Sequence, residues 1–173
     1  MANISTAATK TRAEIAGGGF AGLTAAIALR QSGWEVRLHE KSPELRAFGA
    51  GIYLWHNGLR VLEGLGVLED VLTGSHTPPT YETWMHNKSI SKETFNGLPW
   101  RIMTRAHLHD ALSRRARAVG VDIRVNSEAV AADPSGRLTL STGEVIEADL
   151  IVGADGVTSK VRDSIGFKQD RWV

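Results

Sequence analysis

The sequence of 173 residues contains no cysteine. This absence excludes disulfide bonds, thiolate catalysis and cysteine-ligated metals, and it fits a reducing, cytoplasmic compartment. The six histidines offer no substitute. His107 and His109 are only two residues apart, so they point to different faces of a predicted helix. We therefore expect no metal site.

An excess of charge of one sign is also absent, because 20 Lys and Arg residues stand against 19 Asp and Glu residues. This balance gives no electrostatic reason to expect binding to nucleic acid or to a membrane surface. The longest apolar run, residues 16–29, is shorter than the ~20 residues of a transmembrane helix. The N-terminus lacks the apolar segment of a secretory signal, and we expect residues 1–11 to form a disordered tail.

Glycine, by contrast, is concentrated in the stretch "AEIAGGGFAGLTAAIALRQSGWEVRLHEKS", which has four glycines within residues 17–22. Residues 12–16 before them predict a short strand, and residues 20–32 have the apolar spacing of a helix. Residues 34–40 alternate apolar and polar side chains, which predicts a second strand. A strand, a helix and a strand in this order predict two parallel, adjacent strands.

The three glycines Gly17, Gly19 and Gly22 fit the pattern G-x-G-x-x-G between a strand and a helix. In this pattern the first glycine permits a tight turn, the second lets a pyrophosphate approach, and the third lets the helix pack closely. Glu40 ends the second strand, where a carboxylate can accept hydrogen bonds from a ribose and disfavours a 2′-phosphate. The alternative is that the glycines only turn the chain and that Glu40 is a solvated strand end. We favour a dinucleotide site, although the motif does not distinguish FAD from NAD.

The rest of the sequence predicts further helices and short strands. Residues 57–72, 105–119 and 159–165 have helical patterns, and "YETWMHNKSISKETF" predicts two strands around "HNK". Short strands are predicted in "VDIRV", "EAVAAD", "RLTLS", "EVIEA" and "ADLIVG". We expect Trp55 and Trp84 in the core. The predicted fold class is α/β, with a parallel sheet, helices and a small antiparallel β-meander.

Three further stretches carry a family resemblance: "GAGIYLW", "RAHLHDAL" and "DLIVGADGVTSKVR". Together with the glycine motif they resemble the FAD-dependent aromatic-ring monooxygenases of the para-hydroxybenzoate and salicylate hydroxylase type. The resemblance implies a Rossmann-like FAD-binding domain, over residues 12–72 and 101–168. It implies the beginning of a β-rich substrate domain, over residues 73–100 and 169–173. It also implies FAD as cofactor, NADH or NADPH as co-substrate, and O2 with a small aromatic or pyridine substrate.

The resemblance also implies roles for individual residues, and none of them is a catalytic acid, base or nucleophile. Tyr53 and Tyr81 are expected near the flavin ring and the substrate, with half-buried packing as the alternative. The expected cofactor-binding residues serve the pyrophosphate, ribose, phosphates, adenine and nicotinamide; they are Gly17, Gly19, Phe20, Ala21, Gly22, Glu40, Lys41, Arg46, Arg105, Val130, Asp155 and Gly156. The alternatives are a surface arginine at Arg46 and an ordinary turn with an aspartate cap at Asp155.

Two stretches, "GAGIYLWHNGLRVLEGLG" and "SHTPPTYETWMHNKS", carry a narrower resemblance. They resemble the members of this monooxygenase family that open pyridine rings in vitamin B6 degradation. It implies 2-methyl-3-hydroxypyridine-5-carboxylate as substrate, with ring opening and NADH as reductant. A third family signature, a Gly-Asp pair followed by Ala-Ala-His or similar, is absent, so we expect an N-terminal fragment. Salicylate-type or hydroxynicotinate-type hydroxylation, a Rossmann NAD-dependent dehydrogenase and a catalytically inactive fragment are the alternatives.

Overall fold

The structure is a computed structural model, and it describes residues 11–47, 49–94 and 100–167. Residues 1–10 of the expected tail, and residues 95–99 and 169–173 of the expected substrate domain, lie outside the described residues. The chain divides into two compact units, and the domain boundaries expected from the sequence stay a prediction. The first unit is Met1–Arg46 with Ser113–Val173, and the second is Ala47–Leu112.

The secondary structure alternates between strands and helices at the start and becomes mostly β later. In chain order the elements are β1 (Arg12–Ala16), α1 (Phe20–Gln31), β2 (Glu35–His39), β3 (Gly51–Trp55), α2 (His56–Gly64), α3 (Leu68–Thr73), β4 (Thr80–Met85), β5 (Lys88–Thr94), β6 (Trp100–Thr104), α4 (Arg105–Ala118), β7 (Asp122–Arg124), β8 (Ala129–Asp133), β9 (Arg137–Leu140), β10 (Val145–Glu147), β11 (Leu150–Gly153) and α5 (Lys160–Ser164).

The first unit is built around a parallel sheet with the strand order β11-β1-β2-β7. Strands β1 and β2 are paired in parallel register, as the sequence predicts, with Ile15 opposite Leu38. Both side chains are fully buried, as are Leu23 and Ile27 of α1. Because parallel strands end at the same edge of a sheet, the residues that follow β1, β2 and β11 lie close together there.

An antiparallel meander of β8, β9 and β10 completes the first unit. Its buried side chains, Leu138 and Ile146 among them, form one cluster with Val161 of α5. The α/β fold class with a parallel sheet and an antiparallel meander is therefore confirmed. Among the helices of the described ranges, none is long and apolar enough to span a membrane.

The second unit contains two antiparallel strand pairs, β3 with β6 and β4 with β5. The β4–β5 hairpin confirms the prediction of two strands around "HNK". Its turn residues His86 and Asn87 have φ angles of 47° and 59°, as a tight hairpin turn requires. Strands β3 and β6 were not predicted from the sequence.

The expectation that Trp55 and Trp84 belong to the core is wrong. Trp55 is 40% exposed and Trp84 is 60% exposed. Both lie on two-stranded sheets, where β3 alternates exposed and half-buried residues and β5 is exposed along its whole length. A side chain of a sheet is buried only where other residues cover it, and the described residues cover Trp55 and Trp84 in part.

Candidate functional site

A cavity of about 260 Å³ lies in the first unit, at the edge where the parallel strands end. Pockets that hold small ligands have volumes of about 300–1,000 Å³, so this cavity has room for part of a dinucleotide. Ligands of open α/β sheets bind at this edge. Four segments line the cavity: the glycine loop with residues 16–19, the end of β2 with residues 39–41, residues 127–129, and the turn into α5 with residues 154–156, Thr158 and Lys160.

The three motif glycines have two different physical roles. Gly17 has a φ of 105°, and a Cβ there would lie 2.3 Å from the carbonyl oxygen of Ala154. A Cβ on Gly22 would lie 1.9 Å from the carbonyl oxygen of Gly17. These two glycines are therefore required by the packing of the chain itself.

Gly19 differs because a Cβ built on it would meet nothing within 4 Å. Its φ of −78° and ψ of −174° describe an extended backbone that any residue can adopt. Neither the conformation nor the packing of the protein requires glycine here. Gly19 lines the cavity, and because it has no side chain, a ligand in the cavity can approach its backbone.

Helix α1 begins directly after this loop, and its N-terminus suits an anion. Gly19 is the N-cap residue, no side chain caps it, and the first turn, with Phe20, Ala21 and Gly22, contains no acidic residue. The first N–H groups of a helix and its dipole favour negative charge at this end. The glycine loop and the start of α1 thus fit a diphosphate.

Glu40 lies at the rim of the cavity with its carboxylate held on both sides. Its Oε2 accepts the backbone N–H of Gly18 at 2.8 Å, and its Oε1 accepts the backbone N–H of Ser42 at 2.8 Å. Each carboxylate oxygen can accept more than one hydrogen bond, so a fixed Glu40 can still accept from a ribose hydroxyl. Lys41 lines the same cavity and is exposed.

Asp155 and Gly156 line the cavity from the turn after β11. The Asp155 carboxylate accepts the hydroxyl of Ser159, and its Oδ2 accepts the backbone N–H of Val161 at 3.2 Å. The Ser159 oxygen in turn accepts the N–H of Arg162 at 2.9 Å and caps α5. Gly156 has a φ of 92°, which favours glycine. Asp155 therefore supports the start of α5 from the cavity wall.

Replacing Asp155 with alanine should lower the free energy of unfolding by about 1–2 kcal/mol, because the start of α5 loses its acceptors. Asp155→Asn keeps one acceptor oxygen and should cost less. Urea unfolding of the two variants and of the unchanged protein measures the difference. An Asp155→Ala variant as stable as the parent would contradict the capping role.

Five expected cofactor residues of the first unit lie outside the cavity lining: Phe20, Ala21 and Gly22 at the start of α1, and Arg46 and Val130. Arg46 is exposed, and its guanidinium lies 3.4 Å from the Glu44 carboxylate. Val130 is half-buried and is the extra residue of an irregularity in β8 between Ala129 and Ala131. Its neighbour Ala129 does line the cavity. The roles of Arg46 and Val130 stay predictions.

The remaining expected residues belong to the second unit. Arg105 begins α4, and its backbone N–H donates to the carbonyl of Ala50 at 3.2 Å. Its side chain crosses Gly49, where a Cβ would lie 2.9 Å from Cδ of Arg105. A cation at a helix N-terminus opposes the helix dipole, so helix stability does not explain this arginine. Its role near the cofactor stays a prediction.

Both tyrosines are accessible in the second unit. Tyr53 is 52% exposed and Tyr81 is 47% exposed. The Tyr53 ring lies edge-on to Trp55 and Trp100, with centroids 6.2 Å and 6.5 Å apart. Trp55 and Trp100 stack at 5.5 Å. Such contacts hold Tyr53 in place on one side and leave about half of it accessible, which is compatible with the predicted contact to a ring substrate.

Several residues that were not predicted from the sequence also line the cavity: His39, Ser127, Glu128, Thr158 and Lys160. Lys160 Nζ lies 2.6 Å from the Glu128 carboxylate, and this hydrogen bond lowers the pKa of Glu128. His39, Thr158 and Lys160 lie within stretches that carry the family resemblance, but the resemblance implied no role for them. The five residues meet only through the folding of β2, β8 and α5. Among the residues that the structure describes, no group of three or more His, Asp or Glu side chains could hold a metal ion.

Comparison with known proteins identifies the family. Residues 10–171 match the model of a family described as FAD binding domain. The structure of the tetrameric form of 2-methyl-3-hydroxypyridine-5-carboxylic acid oxygenase is 87% identical, with a TM-score of 0.91 over 95% of this chain and 44% of that one. The fold is therefore shared along nearly the whole chain.

Two curated relatives are more distant. The 2-heptyl-3-hydroxy-4(1H)-quinolone synthase of Mycobacteroides abscessus is 38% identical over 92% of this chain and 44% of its own length. The 3-amino-4-hydroxybenzoate 2-monooxygenase of Streptomyces cremeus is 37% identical over 89% of this chain and 42% of its own length. The chain thus spans less than half the length of these relatives.

These matches confirm the family resemblance that the motifs indicated. They also answer the question that the glycine motif left open between FAD and NAD. Residues 10–171 cover most of the chain, including the glycine loop, Glu40 and the turn after β11. The chain belongs to the FAD binding domain family.

Proposed function

We propose that the cavity of the first unit holds the adenosine diphosphate half of FAD. The glycine loop and the N–H groups of Phe20 and Ala21 bind the pyrophosphate, and Glu40 accepts hydrogen bonds from the ribose, with Lys41 beside it. The observation that supports this proposal is the glycine at position 19. A Cβ there would meet nothing within 4 Å, so the packing of the protein itself does not require a glycine. A close approach of a ligand to the backbone accounts for it.

The other expected residues have proposed roles of their own. Arg46 supplies positive charge toward the FAD phosphates, and a diphosphate gives such a cation a Coulombic reason to be there. Arg105 is the arginine at a helix start that faces the cofactor. The Val130 backbone lies at the adenine, and Asp155 with Gly156 serves FAD and the nicotinamide co-substrate. Tyr53 and Tyr81 present a phenol that can hydrogen-bond a ring substituent while the ring face packs on the substrate.

We further propose that the intact protein is an FAD-dependent monooxygenase that uses NAD(P)H and O2. Its proposed substrate is a hydroxylated aromatic or pyridine carboxylic acid, namely 2-methyl-3-hydroxypyridine-5-carboxylate, whose ring it opens as a step of vitamin B6 degradation. The support is the 87% identity to a solved oxygenase named for this acid. FAD, when bound, supplies the redox chemistry between the nicotinamide and O2. The protein residues bind and orient the cofactor and the ring and keep water away.

The purified intact protein should be yellow, and 2-methyl-3-hydroxypyridine-5-carboxylate should accelerate its consumption of NADH. Salicylate and 6-hydroxynicotinate, added at equal concentration, are the matched comparison and should accelerate it less. Oxygen uptake and product mass spectrometry check whether the ring is opened. A colourless protein that does not change on addition of FAD would contradict the proposal, and binding of NAD alone would favour a dehydrogenase.

A further inference from the structure

A carboxylate lies in the interior of the parallel sheet. Glu14 occupies the middle of β1 and is fully buried, between the equally buried Ala13 and Ile15. Central strands of parallel sheets are normally continuous apolar runs. A buried charge is costly unless it is paired, and a pair in the core is seldom more stable than apolar residues of the same size. The presence of Glu14 therefore calls for an explanation other than stability.

Glu14 is the inner end of a chain of polar contacts that leads to the cavity. His39, which is also buried, has its Nε2 2.8 Å from Oε2 of Glu14. The other ring nitrogen, Nδ1, lies 2.8 Å from the hydroxyl of Ser127. On the opposite side, Oε1 of Glu14 lies 3.3 Å from Nε of Arg12 and 3.7 Å from a guanidinium nitrogen of Arg37.

With Glu14 ionised and the His39 ring neutral, the contacts between these residues fix where the hydrogens lie. An ionised carboxylate only accepts hydrogen bonds, so Nε2 of His39 carries a hydrogen and donates it to Glu14. In the neutral ring, Nδ1 is then an acceptor, and Ser127 donates its hydroxyl hydrogen to it. The Ser127 oxygen is left with its lone pairs for other partners.

Ser127 lines the cavity beside the proposed ribose site. Its backbone N–H donates to the carbonyl of Glu40 at 2.9 Å, so the two residues are tied together at this rim. Both His39 and Ser127 line the cavity, whereas Glu14 supports them from the core. The contacts thus run from a buried charge to the surface that would face the adenosine of FAD.

We propose that Glu14 and His39 are positioning residues that hold the Ser127 oxygen as a hydrogen-bond acceptor toward the adenosine half of FAD. Glu14 fixes the tautomer of His39, and His39 fixes the direction of the Ser127 hydroxyl. Ser127 then accepts from a donor group of the adenosine, a ribose hydroxyl or the adenine amino group. This inference rests on the proposed FAD-binding function of the cavity.

The two amide substitutions of His39 separate positioning from packing. An asparagine places its amide near the position of Nδ1 and can still accept from Ser127, whereas a glutamine reaches the position of Nε2 and contacts Glu14 instead. FAD affinity of the intact apoprotein should fall about tenfold in Ser127→Ala and in His39→Gln, roughly the value of one hydrogen bond. His39→Asn should stay within about threefold of the parent, because the acceptor for Ser127 is retained.

The double variant His39→Gln with Ser127→Ala should bind FAD no more weakly than either single variant, since both remove the same contact. Fluorescence titration with FAD measures the affinities, and thermal unfolding of the apoproteins shows that each variant is folded. An unchanged affinity in Ser127→Ala, or equal losses in His39→Asn and His39→Gln, would overturn the positioning role. Gly19→Val tests the cavity separately. If it loses FAD while Ser127→Ala does not, only the positioning role fails; if it also retains FAD, the proposed function fails.

Discussion

Gly19→Val should raise the Kd of the intact protein for FAD at least about 100-fold, which corresponds to about 2.7 kcal/mol. The stability of the apoprotein should hardly change. Gly19 has an extended backbone conformation, and a Cβ there meets no protein atom within 4 Å. A side chain that begins at this Cβ therefore has open space in the protein alone, and it occupies the space through which a pyrophosphate approaches the backbone. Titration of the apoprotein with FAD measures the loss, and thermal unfolding without FAD measures stability.

The matched control for this variant is Gly64→Val. Gly64 also has open space around its Cβ position, but it lies at the end of α2, away from the glycine loop in the chain. The same increase in side-chain volume there should leave FAD affinity within about twofold of the parent. If Gly19→Val retains FAD as well as Gly64→Val does, the diphosphate does not bind at this loop.

The first strand, helix and strand could be predicted from the sequence because their signals are local. Strand β1 has the predicted bounds, α1 ends one residue earlier than predicted, and β2 is one residue shorter than predicted at each end. Apolar spacing, the glycine that ends α1 and the alternation in β2 all lie within the segment itself. Glu40 could be predicted for the same reason, since its place follows from the end of β2.

The part of the cavity lining that contains Ser127 and Lys160 could not be predicted, because it depends on contacts between distant parts of the chain. Ser127 and Lys160 line the cavity with the glycine loop only after β8 and α5 have packed on each other. A serine in a loop and a lysine at the start of a five-residue helix carry no signal of their own. The pairing of β3 with β6 was missed for a related reason. About 45 residues separate the paired strands, and the register from Gly51 and Thr104 to Trp55 and Trp100 is not encoded in either strand alone.

The burial of Glu14 could not be predicted from the sequence for a different reason. Its position in a five-residue strand was predicted correctly, but the pattern gave no reason to expect a charged residue that is fully buried there. Only the structure shows that His39 of the neighbouring strand β2 forms a hydrogen bond with the Glu14 carboxylate. A departure from the apolar pattern of a strand is thus an indication of function that is recognised only when its partner is known.

Gly22→Ala should be the most destabilising of the substitutions considered, with a loss of roughly 3 kcal/mol in the free energy of unfolding. The added Cβ would lie 1.9 Å from the carbonyl oxygen of Gly17 and 3.5 Å from Cβ of Ala154. A backbone carbonyl cannot move aside as the end of a flexible side chain can, so α1 would have to shift away from β1. The four buried α1 residues that include Leu23 and Ile27 would then lose part of their packing.

Gly64→Ala is the control for this prediction, and its effect should have the opposite sign. Gly64 is helical and has nothing within 4 Å of its Cβ position, so alanine there should raise stability by several tenths of a kcal/mol. Urea unfolding of the apoprotein compares the two variants directly. Equal stability of Gly22→Ala and the parent would mean that α1 does not depend on close approach to the glycine loop. FAD affinity in Gly22→Ala should also fall, because the N-terminus of α1 moves with the helix.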